Sequence, residues 1–164
     1  MCRHLWDTMG MIKHELTCRL WSTMSRVMNE GWFQDDYFIL FTESERASQS
    51  HRYGIATALP GYTVIGLRSW DDLIVVDNTG DAYTVPAVPI DLQYLSPCTI
   101  PESTSLEPDG RFTGKIKWYV KPLVFGGDPN DKDNVTWVSH DQHAELVSWW
   151  NQQYRALKAS SEGL

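Results

Sequence analysis

The sequence is poor in cysteine. Three thiols, Cys2, Cys18 and Cys98, make an odd number with no CxxC pair, which excludes a disulfide framework and a cysteine-based zinc site. Reduced, packed side chains and a cytoplasmic location are the expectation. Long apolar runs are also missing: the longest, Tyr37–Phe41 and Leu73–Val76, fall far short of the roughly 18–20 residues of a membrane span. The start of the chain lacks the apolar core and small-residue cleavage site of a secretory signal. Neither GxGxxG, GxxxxGK[ST] nor GxSxG occurs, so a dinucleotide fingerprint, a P-loop and a nucleophile elbow have no support. Gly126-Gly127 runs into a turn instead of opening a helix, and the neighbours Asp35-Asp36 and Asp71-Asp72 would point to opposite faces of a strand. The last absence is of cations. Between Ser69 and Gly110 there is no Lys, Arg or His at all.

What is present is a chain of 164 residues, 42% hydrophobic and 21% charged, with a net charge of −7. One domain is the default at that length, and burial of about 70% of the unfolded surface needs no metal or disulfide. The acidic balance argues against direct nucleic-acid binding, which requires clustered Lys and Arg. Eight Trp is a high count for a residue enriched at protein interfaces.

Residues 1–10 read as a loose extension, 11–158 as a single domain and 159–164 as a tail. Ile12, Leu16, Leu20, Met24 and Met28 recur every four residues and predict an amphipathic helix over 11–29, with Gly31 as its C-terminal cap. Residues 35–41 fit a strand or a buried helical turn, and 42–52 a loop or an exposed helical turn. From Tyr53 the character turns β. Strands are expected at 62–66, 73–77 and 82–85, forming an antiparallel meander with a tight turn at Asn78–Gly80. Pro86 and Pro89 end regular pairing, and residues 96–110, with three prolines, are the least structured stretch. Lys115–Val124 alternates as a strand with Ile116, Trp118 and Val120 on one face. A short strand follows at 134–138. Ser139 with Gln142 forms a capping box for a C-terminal helix whose apolar face carries His143, Leu146, Val147, Trp150, Tyr154 and Leu157. The fold class is therefore α+β: an N-terminal helix, an antiparallel meander, and a C-terminal helix packed on the sheet.

His140 and His143 have helical metal-ligand spacing, but no third ligand is apparent, and the bland reading is a packed His143 with an exposed His140. The Asp128–Asn134 run lacks the Gly and Glu of a calcium loop. The charge distribution says more. Eight acids (Asp71, Asp72, Asp77, Asp81, Asp91, Glu102, Glu107, Asp109) fill the cation-free block, and the rest of the chain sums to +1. Solvated loops explain this as well as a negative face complementary to a basic partner does. Aromatic side chains among those acids favour an interface, with Trp70, Asp71, Asp72, Asp77, Asp81 and Tyr83 as candidate contacts and Asp91 and Tyr94 next.

Tyr53–Gly66 reads YGIATALPGYTVIG and is followed by a strand, an Asn-Thr-Gly-Asp turn and AYTVPAVPID. This resembles the SUKH superfamily, whose members carry a similar Tyr-Gly-Ile…Leu-Pro-Gly-Tyr…Ile-Gly stretch, a short strand ending in Asp, a Gly turn and a strand ending at Pro. NEGWFQDDYFILF resembles the family's Leu-Pro-x-Asp-Tyr…Phe-Leu segment, best at Asp36 and Tyr37. Lys121–Leu157 is similar to tails of related bacterial sequences. The resemblance covers about residues 30–157. It implies a small cytosolic immunity protein, without catalytic residues or cofactor, that neutralises a polymorphic toxin by binding it. Many such toxins are nucleases, whose basic grooves suit an acidic ligand. The alternatives are a non-inhibitory regulatory scaffold of the same superfamily and, more remotely, a metal-dependent enzyme at His140 and His143. Monomer and homodimer both stay open.

Overall fold

The computed structural model describes residues 29–162. The extension at 1–10, the expected helix at 11–29 up to its last residue, Cys2, Cys18 and residues 163–164 lie outside the described residues.

The elements run β1 (Glu30–Phe33), β2 (Asp36–Leu40), α1 (Glu43–Arg52), α2 (Ile55–Ala58), β3 (Thr63–Arg68), β4 (Asp72–Val76), β5 (Ala82–Pro86), β6 (Ser96–Pro97), β7 (Ile116–Tyr119), β8 (Val135–Val138) and α3 (His140–Glu162). Strands β1 to β6 form one sheet in chain order, with each neighbour antiparallel. The meander and the α+β class hold. Strands β7 and β8 pair separately as a second, two-stranded sheet.

Strand β4 explains why its sequence shows no alternation. Leu73 and Val75 enter one hydrophobic cluster and Ile74 enters another on the opposite face. All three are fully buried, each burial stabilising by about 1.5–3 kcal/mol. The larger cluster joins Tyr37, Ile39, Val64, Leu67 and Val85 of the sheet to Ile116 and Trp118 of β7 and to Ala144 and Val147 of α3. The helix starts as expected: Ser139 Oγ accepts from the Gln142 amide at 3.2 Å and Gln142 Oε1 accepts from the Ser139 amide at 3.0 Å. Its buried stripe is His143, Ala144, Val147 and Asn151. Leu157, expected on that face, is exposed, since it lies beyond Asn151, the last buried residue of α3.

The smaller cluster occupies the outer face, where Leu106 packs on Phe38, Ile65 and Ile74, with Cys98 and Ile100 beside them. Residues 98–107, read from sequence as least structured, thus strap the sheet from edge to edge. They leave β6 and reach the free edge of β1, where Trp32 and Glu107 exchange two backbone hydrogen bonds of 2.8 Å. The strap's one proline, Pro101, lacks the amide a ladder needs, which suits a segment that crosses the strands instead of pairing with them.

Glycines correct two further readings. Gly31 is no helix cap: it sits inside β1 opposite Phe38. A Cβ there would lie 2.6 Å from the Glu107 carbonyl carbon, so its role is to let the strap approach. Gly66 does not end a strand either. It lies within β3 at a bulge, and a Cβ would collide with the Ile39 carbonyl oxygen. Residues 42–52 form a capped helix, with Thr42 and Glu45 in a capping box, and residues 35–41 contain a strand. The strand expected over Lys115–Val124 stops at Tyr119, leaving Val120 exposed instead of sharing the buried face of Ile116 and Trp118. Asn134 replaces the ladder beyond it, bonding the Lys121 amide at 2.8 Å and the Lys121 carbonyl at 3.1 Å. In the β4–β5 turn only Gly80 takes a positive φ (90°), not Asn78.

Candidate protein-binding site

The β3–β4 hairpin turns through Ser69 (φ 48°) and Trp70 (φ 65°), two successive left-handed residues that are not glycine. Such backbone costs on the order of 1 kcal/mol or more per residue and persists only where surroundings enforce it. Here they do. The Ser69 amide donates to the Tyr37 carbonyl at 2.7 Å and its hydroxyl to Asp36 Oδ1 at 2.8 Å. The Trp70 indole stacks on Tyr37 (centroids 5.0 Å apart) and meets Trp32, Phe112 and Trp137 edge-on. Trp70 is therefore half-buried in an aromatic cluster, and only part of it is available as a contact.

Beyond Trp70, the turn delivers Asp71 and Asp72 to the mouth of a cleft of about 150 Å³. Trp70, Ala87 and Val88 form one wall; Trp118, Tyr119 and Leu123 form the other. The first wall is fixed to the turn by the Ala87 amide bonding the Asp71 carbonyl at 2.9 Å. The polar groups at the mouth differ in state. Asp72 is paired with Arg68 at 3.2 Å. Lys117 donates to the Tyr119 hydroxyl at 3.3 Å and lies 5.1 Å from its ring centroid. The Asp71 carboxylate makes no hydrogen bond or ion pair with the described residues. Its carboxyl is exposed, yet flanked by enough protein that burial raises its pKa above the usual carboxylate range. Lys117 pulls the other way and Asp72 reinforces the rise.

The other candidate contacts lie elsewhere. Asp77, Asp81 and Tyr83 sit at the opposite end of β4, about 17 Å along a five-residue strand. Asp77 builds that turn, accepting from the Thr79 hydroxyl at 2.7 Å and the Asp81 amide at 3.0 Å, and the Thr79 bond leads in holding its pKa below the carboxylate range. Tyr83 is half-buried edge-on against Tyr62. Asp91 belongs to neither group. It accepts from Lys158 at 2.8 Å and Tyr154 at 3.1 Å, latching the end of α3 to the loop after β5. Tyr94 beside it is exposed, next to exposed Leu92. Asp109 is likewise neutralised, by Arg111 at 2.8 Å.

The cation-free block is therefore not one negative surface. Three of its eight acids pair with cations at Arg68, Lys158 and Arg111, all outside the block in sequence. The eight candidate residues fall into three places, of which one has a cleft. Sequence reading missed that cleft's second wall, residues 118–123. The expected Lys115–Val124 strand covered those residues but ran past Pro122, which cannot donate to a ladder.

No known protein family, curated protein or solved structure matches this chain.

His140 and His143 are each engaged separately among the described residues. His143 is fully buried, with Nδ1 2.7 Å from the Tyr53 hydroxyl and Trp118 edge-on at 5.5 Å. His140 is half-buried against Phe41 rather than exposed. Among the described residues no three His, Cys, Asp or Glu are grouped to hold an ion, and no helix is long and apolar enough to cross a membrane. Cys98 lies half-buried in the outer cluster, where burial raises its thiol pKa.

Proposed function

We propose that this protein is a binding protein of the immunity class, which neutralises a basic toxin, in particular a nuclease domain, by occupying its substrate groove. The observation that carries the reading is the Trp70–Asp71–Asp72 turn at the mouth of an apolar cleft. An aromatic anchor beside a pocket, ringed by charge, is the anatomy of a protein interface hot spot. The immunity class is suggested by the SUKH-like pattern over Tyr53–Gly66. A cytoplasmic site of action belongs to the same reading.

The test is co-expression with the product of the neighbouring open reading frame. Growth should be rescued, and the two proteins should co-purify. Asp71→Lys with Asp72→Lys should slow association and weaken the complex, since exposed charges act mainly on encounter. A complex that forms without rescue would make the protein a scaffold instead, and unchanged association by the double variant would remove this turn from the interface.

A further inference from the structure

Lys117 shows what the cleft attracts. It is the chain's own cation at the mouth, and it turns onto the Tyr119 ring and hydroxyl instead of neutralising Asp71. The mouth thus offers an aromatic face that already holds a cation and a carboxylate that feels Lys117 but, among the described residues, makes no ion pair. Behind them the walls are apolar, from Trp70, Val88, Trp118 and Leu123. Continuous with Leu123, the loop exposes Val120 and Val124, and Phe125 continues the apolar line onto Trp150 at 4.8 Å and from there to Trp149 at 4.8 Å.

We infer that the cleft receives an arginine side chain of the partner protein, its stem against Leu123 and Val88 and its guanidinium between the Tyr119 ring and the Asp71 carboxylate. This rests on the protein-binding reading and specifies what is bound. Arginine fits better than lysine on three counts. Its planar head stacks on aromatic faces while still donating sideways to a carboxylate. It is more weakly hydrated than an ammonium, so entering a partly dry cleft is less costly. Its stem matches the apolar walls. An acidic side chain would instead meet Asp71 and Asp72. The apolar ridge from Val120 to Trp149 then lies where residues flanking the arginine would rest, excluding water from the charge pair.

The proposal needs no toxin to test. The blocked peptide Ac-Gly-Arg-Gly-NH2 is titrated into the full-length protein with amide and indole chemical shifts as the readout. Citrulline and glutamate peptides serve as neutral and acidic controls. The arginine peptide should shift Asp71, Ala87, Val88, Leu123 and the Trp70 indole, and citrulline should bind more weakly. Asp71→Asn should weaken the arginine peptide by up to about 5-fold, the upper end for an exposed ion pair, and Lys117→Gln, by removing the competing cation, should strengthen it. Leu123→Ser should weaken it through the stem alone. Equal binding of arginine and citrulline, preference for glutamate, or weakening by Lys117→Gln would overturn the assignment. Growth rescue separates the two levels. Rescue that persists when the wild-type cleft ignores the arginine peptide refutes the arginine but not the binding function, whereas peptide binding without rescue refutes only the immunity reading.

Discussion

Asn151 is a polar residue in the middle of the buried stripe of α3, and its removal should be among the most damaging single changes in the protein. Its Oδ1 accepts from the Ile90 amide at 2.7 Å, and its Nδ2 donates to the Ala87 carbonyl at 2.7 Å and to the Val147 carbonyl at 2.8 Å. It is 1% exposed. The Val147 carbonyl is already within the helix ladder, so the groups that depend on Asn151 are the Ile90 amide and the Ala87 carbonyl. Leaving a buried polar group unpaired costs about 1–3 kcal/mol. Two such groups, with the void left by the amide, give about 3–5 kcal/mol for Asn151→Ala. That is a large part of the total stability of about 5–15 kcal/mol expected for a domain. With a urea slope near 2 kcal/mol/M the unfolding midpoint should fall by about 2 M, read from tryptophan fluorescence and circular dichroism.

Asn151→Asp separates the two lost bonds. A carboxylate still accepts from Ile90 but offers nothing to Ala87. Burial and the facing carbonyl raise the folded pKa of such a group, so the protonated form, which can donate, is favoured as pH falls. Measured against Asn151→Ala at each pH, the Asp variant should therefore recover stability on acidification. A loss under about 1 kcal/mol for Asn151→Ala, or no relative recovery of the Asp variant in acid, would refute the reasoning.

The remaining predictions concern the core, the fold's glycines and the helix end. Burial, reinforced by His140, lowers the His143 pKa to about 3, below the ~6.5 of the unfolded imidazole. Its contribution is therefore fully present above about pH 6.5 and lost as pH falls towards 3. At pH 4.5 the wild type should lose about 2–3 kcal/mol more than His143→Gln, measured by denaturation at both pH values; equal losses would place the acid sensitivity elsewhere. Trp70→Ala should cost about 3 kcal/mol of stability through the aromatic cluster, whereas Asp71→Lys should stay within about 0.5 kcal/mol, which thermal melts would resolve. Gly66→Ala forces a methyl onto the Ile39 carbonyl oxygen and should destabilise by at least about 1–3 kcal/mol. Asp91→Asn should speed amide exchange in α3 beyond Tyr154 while leaving the sheet protected, because the Lys158 and Tyr154 contacts anchor only that end.

Several elements were legible in the residues because their causes are local. The Ser139–Gln142 box and the Gly80 turn each depend on side chains within four positions. The meander was legible for the same reason, since from β3 to β5 each strand pairs with the next one along the chain. Glu43–Arg52 was ambiguous because its residues are polar on nearly all sides, with only Gln49 buried. The strap at 98–107 was misread because an extended, proline-bearing segment buries single apolar residues without any period.

The site divides along the same line. By itself the sequence determined that Trp70, Asp71 and Asp72 are neighbours and that the acids cluster along the chain. The tertiary structure decided which distant groups those acids meet. Lys158 reaches Asp91 across 67 positions, and the wall that makes a turn into a cleft comes from residues 118–123. Local pattern encodes strand, turn and cap because those interactions close within a few residues. The Lys158–Asp91 pair and the cavity walls depend on distances that exist only once the sheet, the second hairpin and the final helix have packed together.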